Sequence, residues 1–204
     1  PHRLPVIPHF VYLHGFLSSP ASAKAECLRR HLAAAGLADR FHAPVLPVDP
    51  LLALLETEAT LVNLDGAPFV LVGSSLGGFY AEVMAERWQA PAVLVNPAVH
   101  PWRHAGLLVG KHTHYHSGEE VEVTPAHLAT LAEAEPARIT PALYWLLACT
   151  GDEVLDWQAA ASRFAGCRQT VREGGDHGFP WFADYLDDIV AFAVAATQPC
   201  AQDL

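Results

Sequence analysis

VLVGSSLGGFY, residues 70–80, is the stretch on which the reading of this chain turns. An apolar run meets two adjacent serines in a glycine-rich bend, and a segment of helical period follows, SLGGFYAEVMAERWQ. A run that is apolar almost throughout is expected of a strand covered on both faces. The pattern G-x-S-x-G fits in one frame only: Gly73, Ser74, Ser75, Leu76, Gly77. Centring it on Ser74 would put Val72 and Leu76 where glycines belong. The glycines have a steric purpose, because a serine held on a sharp strand-to-helix turn leaves no room for flanking side chains. The helix that begins there also aims free N–H groups and its positive end at that serine.

Outward from this centre, short apolar runs alternate with helical segments. PHFVYLHGF (8–16) reads as a buried strand. SAKAECLRRHLAAAGL (22–37) reads as a helix with Ala25, Leu28, Leu32 and Ala35 on one face, Ser22 as its cap and Gly36 as its stop. FHAPVLP (41–47) is a weak strand and PLLALLETEATLVN (50–63) a helix; APFVLVG (67–73) and APAVLVNP (90–97) are strands. Residues 98–141 break the rhythm, with a helical piece near 125–134 and no good strand. ALYWLLACTGD (142–152) restores it, followed by a helix over 156–165, a short strand with a loop in RQTVREGGDHG (168–178), and a closing helix in FPWFADYLDDIVAFAVAAT (179–197). Strand–helix alternation implies a mainly parallel sheet of about six strands between two helical layers. Its ligands are expected outside the carboxyl ends of the strands.

The 204 residues suffice for one domain with a sizeable core, and 51% hydrophobic with 17% charged residues suits a compact fold. A formal charge of −10 argues against nucleic acid or anionic membrane surfaces as the main partner. Cys27, Cys149, Cys167 and Cys200 are widely spaced, which fits a reduced, cytoplasmic chain. No apolar run approaches the ~18 residues of a bilayer span, and FVYL near the N-terminus is not preceded by a signal-peptide layout.

The residues after each strand supply the chemistry. A serine hydroxyl needs a base, and the base an orienting acid; on such a sheet they follow in the order nucleophile, acid, histidine. Gly151-Asp152 ends one later strand, and Gly174-Gly175-Asp176-His177-Gly178 follows the last. We therefore expect Ser75 as nucleophile, Asp152 as acid and His177 as base. Asp156 competes with Asp152, but it stands before WQAAASRF as a helix N-cap. Asp176 is read as shaping the loop. HGF (14–16) closes the first strand, so the N–H groups of Phe16 and Leu76 are the expected oxyanion donors, with His14 holding the loop.

HGFLSSP, GSSLGGFYA, VNPAVHP, TGDEVLDW and EGGDHGF together resemble the YqiA-like esterases of the α/β-hydrolase superfamily, over nearly the whole chain. The resemblance implies a single α/β-hydrolase domain over 1–204 with a small cap insertion at 98–141. It also implies a serine esterase that uses Ser75, Asp152 and His177 and no cofactor. Its substrates would be small acyl esters or acyl thioesters such as acyl-CoA; a non-catalytic binding protein of the same fold is the alternative.

HPWRHAGLLVGKHTHYHSGEE (100–120) lies in that insertion. Trp102, Leu107, Leu108 and Tyr115 would line an acyl pocket or form the small core that holds the cap down. In an extended strand His112, His114 and His116 would share one face, which opens a metal-binding reading; a polar loop is the simpler one and no metal site is expected.

Overall fold

The computed structural model describes residues 6–198; Cys200 lies outside them. Six parallel strands form one sheet in the order β2-β1-β3-β4-β7-β8. They are β1 (His9–Leu13), β2 (Phe41–His42), β3 (Phe69–Ser74), β4 (Ala92–Val95), β7 (Tyr144–Cys149) and β8 (Arg168–Arg172). The weak second strand is only two residues long, since Pro44 and Pro47 just after it cannot donate to a ladder.

Strand alternation sorts the core into two layers. Val11, Leu13, Leu71, Leu94 and Leu146 point to one face, covered by α2 (Pro50–Val62), α3 (Leu76–Trp88) and α6 (Trp157–Arg163). Phe10, Tyr12, Val70, Val72, Val93, Val95, Trp145 and Leu147 point to the other, covered by α1 (Ala23–Ala34) and α7 (Leu186–Thr197). The result is the three-layer α/β-hydrolase architecture. From β1 the sheet extends through β2 to one edge, and from β3 through β4 towards the other. This reversal is where such sheets open a crevice at their carboxyl ends.

Three local expectations need correction. Gly36 ends α1 as foreseen, at φ +75, with Leu37 N donating to Leu32 O and Gly36 N to Ala33 O. Ser22 occupies the N-cap position but its side chain makes no capping bond; the hydroxyl is buried without a hydrogen-bond partner. The closing helix starts only at Leu186, because Phe179 adopts φ +54 and Phe182–Tyr185 form a 3-10 turn first.

The third correction concerns residues 98–141. Besides α4 (Ala105–Leu108) and the expected helix, α5 (Pro125–Ala134), they contain an antiparallel hairpin, β5 (Gly110–Thr113) with β6 (Glu120–Val123). Its signal was the alternation in EVEV, where Val121 and Val123 turn inward and the glutamates outward. The ends of this segment are pinned to each other and to the main body. His100 Nδ1 lies 2.6 Å from Glu135 Oε1, and Thr140 donates through N (2.6 Å) and Oγ1 (2.8 Å) to Glu86 on α3. Arg163 bridges the Pro136 carbonyl and Glu82, whose carboxyl burial pushes up to about 7 against the pull of that guanidinium.

Candidate active site

Ser75 sits directly after β3 with φ 57 and ψ −123, a strained conformation for a residue with a side chain. Close packing imposes the turn: a Cβ on Gly77 would lie 2.0 Å from the Leu13 carbonyl oxygen. Gly77→Ala is therefore expected to destabilise the fold by about 3 kcal/mol or more, or to prevent it from folding. Thermal unfolding against the wild type measures it.

Asp152 and His177 reach the same spot because the loops after β7 and β8 pack back to back. Gly151 N donates to Gly174 O at 2.8 Å, and a Cβ on Gly151 would lie 2.3 Å from the Gly175 oxygen. The Asp152 side chain is 2% exposed. Its Oδ1 accepts from the N–H groups of Val154 and Leu155, both at 2.9 Å, and Oδ2 lies 2.9 Å from His177 Nδ1. Burial pushes the Asp152 carboxyl up, but the hydrogen bonds from His177, Leu155 and Val154 outweigh it and hold the group below the usual carboxylate range. The ionised carboxylate can only accept, so Nδ1 carries the imidazole proton. Nε2, 3.0 Å from Ser75 Oγ, is then free to accept from the hydroxyl. The structure thus brings Ser75, His177 and Asp152 into one hydrogen-bonded line. Asp156 instead caps α6, accepting from Gln158 N at 2.9 Å, and Asp176 Oδ1 accepts from Gly178 N at 2.8 Å.

Phe16 and Leu76 flank Ser75, and among the described residues neither N–H is taken by a hydrogen-bond acceptor. Leu76 opens α3, so its N–H has no intrahelical partner. The Phe16 loop is fixed by His14, which is buried: its Nδ1 donates to Gly15 O at 2.8 Å and its Nε2 accepts from Leu46 N at 3.0 Å. Burial lowers its pKa and keeps the ring neutral.

A cavity of about 360 Å³ opens beside Ser75, walled mainly by apolar groups including Phe16, Leu17, Leu107, Leu108, Tyr115 and Leu155. Trp102 is not among its walls. It packs on the core cluster with Arg103 stacked 4.7 Å above its ring, and its Nε1 is buried without a partner. The 3-10 turn at Pro101–Arg103 turns it inward while α4 presents Leu107 to the cavity. Leu155, Lys24 and Asn96 were not singled out in the sequence; the first two line the cavity and the last lies under the His177 loop. Proximity to Asp152 was a signal for Leu155 alone.

The alternating histidines do not form one strand face. β5 ends at Thr113, and His116 lies in the turn beyond it. His112 Nε2 donates to Leu108 O at 2.6 Å while its ring meets Phe16 edge-on, and His114 Nδ1 accepts from the N–H of His116. Among the described residues no three His, Cys, Asp or Glu side chains converge as metal ligands.

The chain is similar in fold to several solved structures. A putative hydrolase from Agrobacterium vitis S4 shares 17% identity at a TM-score of 0.71, with 92% of this chain and 88% of that one covered. Paleococcus ferrophilus monoacylglycerol lipase shares 17% at 0.68, covering 92% and 94%. The esterase domain of a Rhodothermus marinus protein shares 16% at 0.67, covering 97% and 91%. At such identities the likeness establishes the α/β-hydrolase fold. The model of an uncharacterised protein family, UPF0227, matches residues 9–194, and the chain belongs to that family, the YqiA-like one that its motifs resemble.

Proposed function

We propose that this protein is a serine esterase that cleaves acyl esters or acyl thioesters through an acyl-enzyme intermediate. One observation carries the reading: the unbroken hydrogen-bond line from Asp152 through His177 to Ser75 at the wall of an apolar cavity. The hydrolase, lipase and esterase that share the fold support the reaction class.

In the first half-reaction His177 Nε2 takes the Ser75 proton as Oγ bonds to the substrate carbonyl carbon. The carbonyl π electrons move to oxygen, where the Phe16 and Leu76 N–H groups receive the negative charge. Collapse breaks the bond to the alkoxide or thiolate, which leaves with the proton from His177. Water then repeats the sequence, giving its proton to His177, attacking the acyl carbon and releasing the acid with Ser75 restored. Asp152 keeps the imidazole in the required tautomer and balances its charge.

Residues 98–141 serve as a cap on a single catalytic domain, with Leu107, Leu108 and Tyr115 forming the acyl wall. No helix among the described residues is long and apolar enough to cross a membrane, and the free thiols of Cys27, Cys149 and Cys167 support a reducing, cytoplasmic setting.

Labelling of Ser75 by a fluorophosphonate, with burst kinetics on 4-nitrophenyl esters, is the expected result; a wild-type protein that does neither is a binding protein. The cap reading predicts chain-length selectivity. Leu107→Trp should raise KM for octanoyl esters about tenfold and leave acetyl esters within about twofold. Equal effects on both would remove Leu107 from the acyl wall.

A further inference from the structure

The loop that carries His177 is held by hydrogen bonds to the loop after β7: Gly174 N donates to Thr150 Oγ1 and His177 N to Glu153 Oε2, both at 2.9 Å. Residues 173–178 contain no regular structure, Gly174 and Gly175 lie at φ +77 and +76, and every residue there except His177 is exposed. Loops with few buried contacts open at low cost. Apolar packing secures the downstream end, where Phe179 is buried against Trp181 and Tyr185, and the Trp181 ring also lies against Gly175.

Yet three successive carbonyls of this loop are each taken by a side chain from far away in the sequence. Asn96 Nδ2 donates to Asp176 O at 3.2 Å and to His177 O at 3.1 Å. Lys24 Nζ donates to Gly178 O at 2.9 Å. Cys149 Sγ adds a contact to Asp176 O at 3.1 Å.

Asn96 suits this task and little else. It follows β4, is 3% exposed and stands at φ +40, a region that asparagine tolerates better than most residues. Cys149 N donates to its Oδ1 at 3.1 Å, so the amide NH₂ must face the two carbonyls. Both ends of the side chain are thereby used, away from any water that could replace them. Lys24 stands in the first turn of α1 and lines the cavity beside Ser22 and Gly178.

We infer that Asn96 and Lys24 are positioning residues which clamp the backbone of the His177 loop from β4 and α1, and so fix the imidazole between Asp152 and Ser75. This rests on the esterase reading above. The physical reason is the tolerance of the step: a displacement of about 1 Å at the reacting groups can cost on the order of 100-fold in rate. Lys24 has a competing role. It is the only Lys, Arg, Asp or Glu on the cavity wall among the described residues, and so would recognise an anionic group on the substrate.

The test compares Asn96→Asp, Lys24→Met and Lys24→Arg with the wild type on neutral and carboxylate-bearing 4-nitrophenyl esters. It also follows amide hydrogen exchange of the 173–179 peptide by mass spectrometry. Asn96→Asp preserves shape and the acceptor for Cys149 N but sets a carboxylate oxygen against two carbonyls. It should lower kcat about 100-fold on both esters with KM within about threefold. Lys24→Met should lower kcat about tenfold on both esters, and Lys24→Arg, which keeps a cationic donor, should restore most of it. Exchange at the amides of His177, Gly178 and Phe179 should accelerate in the Asp and Met variants and not in the Arg variant. Unchanged exchange overturns the clamp whatever the activity. A Lys24→Met loss confined to KM for the carboxylate-bearing ester assigns Lys24 to the substrate and overturns its part. A wild type without hydrolysis or labelling overturns the esterase reading, while exchange still decides the clamp. Lys24→Met, at a half-buried position, keeps the test available if Asn96→Asp does not fold.

Discussion

Ser75→Ala should lower ester hydrolysis by about 10⁶-fold in kcat with KM little changed, because removing the nucleophile of such a triad leaves only the oxyanion donors and substrate binding. Steady-state kinetics on a 4-nitrophenyl ester, with active-site titration against contaminating esterase, measure the loss. Ser74→Ala is the internal control: Ser74 ends β3 as a buried residue beside Tyr12, and its loss should change activity by less than about tenfold. If Ser74→Ala abolished hydrolysis and Ser75→Ala did not, the nucleophile would be one residue earlier and the glycine frame misread.

Asp152→Asn should lower kcat by about 10⁴-fold, and the hydrogen-bond geometry states why. Oδ1 of Asp152 already accepts from two backbone N–H groups, so the asparagine oxygen must stay there and its NH₂ must take the place of Oδ2, facing His177 Nδ1. An NH₂ donates, so at the nearer position it competes with the oxygen, 3.0 Å from Nδ1, and favours the imidazole tautomer with its proton on Nε2, which can no longer accept from Ser75. Fluorophosphonate labelling should slow in step with kcat; normal labelling would mean that Asp152 serves the loop and not the base. The same substitution has a pH signature in stability. The folded carboxyl lies below its ordinary value, so its ionised form adds stability above the unfolded pKa near ~3.9, and that stability is lost as pH falls through the lower folded value. The difference in Tm between wild type and Asp152→Asn should be largest at neutral pH and shrink below about pH 4; a difference independent of pH would show that the charge adds no stability.

Residue order alone made the main architecture legible, because a strand covered on both faces and a helix with one apolar face leave different local periods. It also selected Ser75 over Ser74, since the glycine pattern fits in one frame only; the structure adds that a side chain at 73 would meet the Gly77 carbonyl nearby, and one at 77 the Leu13 carbonyl on β1. The hairpin of β5 and β6 was missed for a related reason: two four-residue strands, polar on their outer face, differ little from loop. The two readings of Trp102, pocket wall or cap core, stayed open in the sequence because the difference between facing a cavity and facing the core depends on how the 3-10 turn at Pro101–Arg103 is set on the body below.

What this sequence determines by itself, then, is the order of layers, the frame of the serine turn and the presence of an acid and a histidine after the right strands. Only the tertiary structure decided that His177 meets Ser75 across 102 residues, and that the loop carrying it is held by Asn96 across 81 residues and Lys24 across 154. The division has one physical cause. Periodicity and the spacing of a short motif are set between neighbours along the chain, whereas a hydrogen bond between distant residues exists only once strand order and loop packing have put donor and acceptor about 3 Å apart.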